Sequence, residues 1–333
     1  MCHNRPSRRI AVLVFDGVRT LDVTGPLEVF DVARSLGCGY SVTLHSCGEA
    51  AAVRCSSGLS FDTLPASQLT AEVDTLLVPG GTCLVTDGVP ASLQQLIRSH
   101  APKARRVAAV CAGSFALGAV GLLDGRRATT HWRHLEAFAA RHPSTVIERE
   151  SVYTRDGDIW TSAGVAAGID LAVALVADDH GTHVAQEIAK EMVMLGRRME
   201  GHPQIPVAAH TPRPKHPELE RLMATVNTDP AGRYELDTVA AEVGLSARHL
   251  ARLFKAQVGM TLRQYVHEVR LENAVGLVLA GESFHAASQR SGLRYGARVR
   301  DYLAAHCAQP AGAPASDLRV DPGGAETVAV YPG

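Results

Sequence analysis

No stretch of this sequence approaches the roughly 20 consecutive apolar residues that a membrane-spanning helix requires. The start, MCHNRPSRR followed by IAVLVF, is basic. Its apolar run is too short for a signal segment and no small-residue cleavage site follows, so a cytoplasmic protein is expected. The seven cysteines (Cys2, Cys38, Cys47, Cys55, Cys83, Cys111 and Cys307) form no CxxC pair, and their number is odd. That argues against a disulfide framework and against a cysteine zinc site, and it fits a reducing compartment. There is also no excess of charge of one sign: 33 Lys and Arg against 34 Asp and Glu leave a net charge of −1. No chain-wide basic surplus announces a polyanionic partner, although a small basic face on one domain suffices for phosphate contacts.

What is present is an ordinary globular composition, 46% hydrophobic and 20% charged, over 333 residues, enough for two domains. The first two-thirds alternates strand and helix signals. Ile10 to Phe15 is a continuous apolar run, as in a strand buried on both faces. Pro26 is read as opening a helix. Ser41–Ser46, Thr75–Val78 and Val107–Val110 follow as strands, with helices over Ala91–His100 and Gly113–Val120. Val152–Thr154 and Ile159–Thr161 flank Asp156-Gly157, a hairpin signal. Gly164–Asp178 and Val184–Leu195 read as helices. Repeated β-α alternation predicts a doubly wound, mostly parallel sheet of flavodoxin-like type. His180, His183 and Glu187 stand at helical spacing, but such groups usually face solvent, and neither a metal nor another cofactor is expected.

The sequence 197–217 is rich in Pro, His and charge without periodicity and reads as a linker. From Glu218 to about Ala308 strand signals vanish and short helical patterns follow one another. The stretch from Pro310 to Gly333 has no core pattern and is expected to be disordered. The expected divisions are therefore 1–196, 197–217, 218–309 and 310–333. Within the third, Leu236, Val239, Ala240 and Val243 share one face of a short helix. Gly244 stands where a helix must stop at positive φ, Ser246 is placed to cap the next helix, and Leu250, Leu253 and Phe254 form its apolar side. This is a helix-turn-helix pattern. Opposite lie Arg248, Arg252 and Lys255, with His249 near the cap. A solvated charged face would carry the same stripe; the glycine turn and the cap favour DNA, since an arginine fork matches guanine and lysine suits phosphate.

The run SARHLARLFKAQVGMTLRQYVHEVRLENAVGLVLAGE resembles the first helix-turn-helix and connecting helix of AraC-family regulators. The resemblance covers Leu236 to about Ala308, with Ser246, Leu250, Arg252, Phe254, Gly259, Tyr265, Arg270 and Leu271 in family order. It implies an all-α domain of two helix-turn-helix units joined by a helix near Leu262–Leu279, with recognition helices in successive major grooves. The second unit departs from the pattern: Ser288 replaces a small apolar residue, Gly296 weakens the recognition helix, and its base-facing stripe would be Ala297, Asp301 and Ala304. The first unit is therefore expected to read bases, and the second to position itself through Arg294, Arg298 and Arg300.

In the first domain, RVAAVCAGSFALG puts Cys111 at a strand-to-helix turn, where the helix N-terminus would lower a thiol pKa. The amides of Ala112, Gly80 and Gly81 are candidates for an oxyanion hole. The pieces LDVTGPLEVF, LLVPGG, VCAGSFALGAVGLLDGRRATTHW and TSAGVAAGIDL resemble the PfpI-like branch of the class I glutamine amidotransferase-like superfamily over about Arg9–Leu195. The resemblance implies that Asp22 contacts the elbow cysteine and that His131 lies beside the same cleft. Ala112 stands where PfpI-like proteases have histidine, and the later His-x-Glu pair of glutaminases is not evident, so no general base is assured. Isonitrile-hydrating relatives work with cysteine and aspartate. Cys111 is thus open to three readings: an inherited elbow residue, part of a small-molecule or redox-sensing pocket, or a nucleophile. The two domains in this order resemble bacterial regulators. That implies double-stranded DNA as partner, homodimerisation through the first domain, an effector, no membrane, and a place on the nucleoid.

Overall fold

The computed structural model describes residues 7–70, 72–194, 198, 200–279, 282–293 and 299–300. Arg294, Arg298, the stripe Ala297, Asp301 and Ala304, and the expected tail from Pro310 to Gly333 lie outside the described residues. The chain divides into two compact units, one ending at Gln204 and the other beginning at Ile205.

The first unit comprises β1 (Arg8–Val14), α1 (Thr20–Ser35), β2 (Tyr40–Ser46), β3 (Ala52–Arg54), β4 (Ser60–Asp62), β5 (Thr75–Val78), α2 (Cys83–Thr86), α3 (Ala91–His100), β6 (Arg106–Val110), α4 (Gly113–Ala119), β7 (Arg127–Ala128), α5 (Leu135–Arg141), β8 (Val146–Ile147), β9 (Tyr153–Asp156), β10 (Ile159–Ser162), α6 (Ala166–His180) and α7 (Thr182–Glu191). Its main sheet runs β2-β1-β5-β6-β10-β9. All neighbours are parallel except the β9–β10 hairpin, which turns at Gly157 with φ +63°. The apolar runs of β1, β5 and β6 are buried throughout Ile10–Val14, Leu76–Val78 and Val107–Val110, because helices cover both faces of a parallel sheet. The short hairpin β3–β4 and the pair β7–β8 were not expected; strands of two or three residues carry too little pattern to be read.

Pro26 does not open α1. The helix begins at Thr20 and Pro26 lies inside it, with Asp22 in the first turn. Proline has no N–H for the bond to the Asp22 carbonyl, yet packing favours the longer helix. A methyl group at Gly25 would stand 2.9 Å from Ile169 Cγ1 on α6, and Pro26 packs toward Gly168.

At the amino ends of the strands, the first residues of four of them meet the end of α6. Arg106, 2% exposed, donates to Asp179 at 2.6 Å and to Thr75 Oγ1 at 2.8 Å. Tyr40 donates its hydroxyl to Asp179 at 2.7 Å, and Arg8 and Arg105 add further ion pairs. This network joins helix to sheet at the edge opposite the strands' carboxyl ends.

The second unit comprises α8 (Val207–His210), α9 (Pro217–Thr228), α10 (Leu236–Glu242), α11 (Ala247–Val258), α12 (Leu262–Leu279) and α13 (Phe284–Arg290). Its core gathers Leu219, Val226, Val239, Leu250, Phe254 and Tyr265. Residues 197–217, expected as a linker, are docked in their described parts. Residues 200–204 bond to the first unit, whereas Val207 is buried in the core of the second and Pro217 starts α9.

Candidate functional site

Four adjacent parallel strands, β1, β5, β6 and β10, deliver their carboxyl ends to one edge of the sheet, the place where open α/β sheets bind ligands. The segment after β5 brings Pro79-Gly80-Gly81, β6 brings Cys111, β10 brings Gly164 and Val165, and β1 leads through Arg19 into α1 and Asp22. Cys111 has φ +58°, a left-handed conformation that a non-glycine residue holds only where its surroundings over-determine it. Here they do: Cys111 N–H donates to the Ser162 carbonyl at 2.9 Å, and Thr130 Oγ1 donates to the Cys111 carbonyl at 2.8 Å.

Glycine is required at three neighbouring positions. A Cβ at Gly164, itself at φ +88°, would stand 2.1 Å from Cys111 Cβ. One at Gly113 would meet the Val78 carbonyl at 2.1 Å, and one at Gly80 would meet the Ala112 amide at 2.6 Å and Asp22 Oδ2 at 2.8 Å. Gly81 makes room instead for Gly17, Cys83 and Phe15.

Asp22 is fully buried, and its Oδ1 accepts from the Val165 N–H at 2.8 Å at the start of α6. Burial raises its carboxyl pKa, opposed first by that N–H and then by the Arg19 charge, the Cys111 thiol and the Gly80 amide. The Cys111 thiol is pushed far up by burial first and the Asp22 charge second, with only the Ala112 amide and Arg19 pulling the other way. The pull of the Ala112 amide at the start of α4 is therefore outweighed by desolvation, and the thiol pKa is raised rather than lowered. His131 is pushed down to about 4, by burial first and then by His134, Arg19 and Arg133. It is neutral at physiological pH, stacks on Trp132, and accepts from the Arg133 amide at 3.3 Å. Among the described residues no histidine hydrogen-bonds to the Cys111 thiol.

The structure thus brings together Cys111, Asp22, Gly80 and Ala112, with His131 one residue beyond the Thr130 anchor. Sequence reasoning missed Arg19, Thr130 and Val165. Gly164 lay within the motif TSAG without a role. Among the described residues no group of three His, Cys, Asp or Glu could hold a metal ion; His180 packs edge-on against Tyr40.

In the second unit Gly244 has φ +68° between α10 and α11, and Ser246 accepts from the His249 N–H at 3.3 Å as the cap of α11. Leu250, Phe254 and Val258 are buried, whereas Arg248, His249, Arg252 and Lys255 are exposed. Arg252 touches His249 Nδ1 at 3.4 Å, and among the described residues neither arginine nor Lys255 has an ion-pair partner. Gly259 ends α11 in the left-handed conformation. Thr261 and Gln264 then cap α12 reciprocally, each side chain accepting from the other's amide. Arg270 is a structural pin, donating to the Pro230 and Gly232 carbonyls at 2.8 and 2.7 Å. In the second helix pair Ser283 caps α13, Gly292 has φ +73°, and the Ser288 hydroxyl is buried without a hydrogen-bond partner among the described residues. The Arg300 guanidinium lies over the Phe284 ring, 5.4 Å from its centroid.

The DJ-1/PfpI family model matches residues 8–178, and a helix-turn-helix domain model matches residues 239–313. The isonitrile hydratase of Pseudomonas putida is 35% identical over 185 residues, 55% of this chain and 77% of that protein. The HTH-type transcriptional regulator GbdR of Pseudomonas aeruginosa is 26% identical over 277 residues, 81% of this chain and 74% of that protein. A crystal structure of an AraC family transcriptional regulator from Pseudomonas putida superposes with a TM-score of 0.50 at 22% identity, covering 56% of this chain and 99% of that one. The chain belongs to the DJ-1/PfpI family, with an AraC-type helix-turn-helix domain following the family domain.

Proposed function

We propose that this chain is a sequence-specific transcription regulator that reads DNA bases through its first helix-turn-helix unit, and whose DJ-1/PfpI domain dimerises and senses rather than turning over substrate. The observation that carries the reading is the face of α11. A capped helix, seated on the core by Leu250 and Phe254, presents Arg248, Arg252 and Lys255 exposed and, among the described residues, without ion-pair partners. Two guanidinium forks on one face suit guanine edges, each bidentate pair contributing about 1–3 kcal/mol of discrimination.

The test binds the purified protein to fragmented bacterial DNA, sequences what is retained, and repeats this with Arg248→Ala and Arg252→Ala combined. A shared motif that disappears in the double variant is expected. Retention without a motif, unchanged by the two substitutions, would overturn the reading.

A second reading, a cysteine-dependent hydratase, is favoured by the closeness of Asp22 and Cys111, each of which a Cβ at Gly80 would meet at 2.8 Å, together with the likeness to isonitrile hydratase. Against it stands a thiol held protonated with no histidine bonded to it, because cysteine nucleophiles act as thiolates. Turnover of isonitriles at ordinary enzyme rates, lost in Cys111→Ser, would establish it.

A further inference from the structure

We propose that Arg19, His131, Arg133 and His134, gathered around the exposed indole of Trp132, form a surface site for a small carboxylate; this names the class of molecule that the first domain senses and rests on the sensing reading above. All five residues belong to the first unit. Trp132 is 46% exposed, Arg133 is exposed, and Arg19, His131 and His134 are half-buried. The site therefore lies on the surface and requires no entry to the buried cysteine elbow.

Short-range contacts fix the group. The His131 and Trp132 rings stack with centroids 5.6 Å apart, His134 stands 5.6 Å from His131, and the buried Phe115 ring meets His134 edge-on at 6.4 Å. The Arg133 guanidinium is held over the indole, 5.1 Å from its centroid. The Arg133 amide donates to His131 Nδ1 at 3.3 Å, and the His134 amide donates to the His131 carbonyl at 2.8 Å. Neutral His131 thus carries its proton on Nε2, a donor. Arg19 is anchored at the start of α1, its N–H donating to the Gly80 carbonyl at 2.8 Å, and its charge acts on both histidines.

What the group lacks is an acid. Among the described residues none of the four basic side chains forms an ion pair. The two carboxylates nearest in sequence are engaged elsewhere. Asp22 is enclosed in the fold, where it feels the Arg19 charge and accepts from the Val165 N–H, and Glu136 pairs with Arg149. Burial first, and then the charges of Arg133 and Arg19, hold His134 below its usual range as they do His131, and no carboxylate offsets them. Two guanidinium charges and two imidazoles without a counter-charge suit an oxyanion. A planar carboxylate matches the arginine fork in two parallel bonds. Phosphate-like anions are commonly held by free backbone amides at a helix start, and here the Arg133 and His134 amides are already bonded.

A bound anion favours the charged form of a neighbouring histidine. Binding therefore takes up protons, and affinity rises as pH falls toward the range in which the free histidines titrate.

The experiment is calorimetric titration of the full-length protein with oxalate and with benzoate, a bare and an aromatic carboxylate. Neutral oxamide and benzamide, and tetrahedral sulfate, serve as controls. At least one carboxylate is expected to bind, with proton uptake and an affinity about tenfold higher at pH 6 than at pH 7.5, while the amides do not bind and sulfate binds more weakly. Arg133→Gln, a substitution at an exposed side chain, is expected to weaken binding about tenfold. His131→Asn combined with His134→Asn is expected to abolish the pH dependence and leave residual binding through the arginines. Failure of both carboxylates to bind, binding unchanged in Arg133→Gln, or binding without proton uptake overturns the site. Sulfate binding more tightly than either carboxylate overturns the assigned class. None of these readouts uses DNA: a chain that selects an operator but binds no carboxylate overturns the site alone, and one that binds carboxylate but selects no operator overturns the regulator reading alone.

Discussion

Cys111 is a cysteine that the fold keeps from being a thiolate. Its strand and turn place it at the end of the sheet where a nucleophile belongs, yet burial and the Asp22 carboxylate both raise the thiol pKa. Removing the Asp22 charge therefore shifts thiolate formation to lower pH. Alkylation of Cys111, followed peptide by peptide by mass spectrometry, is expected to stay slow through neutral pH and accelerate only under alkaline conditions. In Asp22→Asn the whole profile is expected to move toward lower pH; an unmoved profile would mean that the carboxyl does not act on the thiol. Gly164 supplies a second test at this scale. It shares positive φ with Gly58, but a methyl at Gly58 meets nothing within 4 Å whereas one at Gly164 overlaps Cys111. Left-handed backbone at a non-glycine residue costs about 1–2 kcal/mol, and overpacking a core adds about 1–3 kcal/mol. Urea denaturation is expected to show only the first loss in Gly58→Ala and both in Gly164→Ala.

Among the elements, α6 and α11 illustrate two ways of using a charged residue. Asp179 at the end of α6 is enclosed by Arg106, Arg105, Arg8 and the Tyr40 hydroxyl. Its replacement by alanine leaves the Arg106 guanidinium buried and short of an anion. The expected cost is about 3–5 kcal/mol, the range for removing one partner of a buried pair, seen as an earlier unfolding midpoint. Helix α11 keeps its cations outside, where they cost nothing to hydrate and remain available. Both helices were legible from spacing, and Ser246 and Gly244 were legible as cap and turn because capping is decided within a few residues. Helix α1 was legible only in part: Pro26 marks a helix start when local rules act alone, and contact with α6 carries the helix past it.

At the scale of the whole molecule, one unit gathers Asp22, Gly80 and Cys111 at a sheet edge, and the other carries the exposed basic helix face proposed to read DNA. The 18 residues of α12 span about 27 Å at 1.5 Å per residue, a length suited to setting two helix pairs along one face of a duplex. Hydroxyl-radical footprinting on the selected operator is expected to show two protected major-groove segments per protomer, about 10 base pairs apart, with stronger loss of protection at one of them in Arg248→Ala. A single protected segment would mean that only the first helix pair docks.

The sequence by itself determined the alternation of strands and helices, the division into an α/β unit and a helical one, the cap and turn of the first helix-turn-helix, and the elbow position of Cys111. Each of these follows from periodicity or from residues a few positions apart. The tertiary structure alone decided that Asp22, Gly80, Cys111 and Gly164 meet at one point, that burial and Asp22 raise the thiol pKa, that Arg106 is buried on Asp179, and that residues 200–204 bond to the first unit. Those outcomes depend on burial and on contacts between segments tens of residues apart, and neither is written in local pattern.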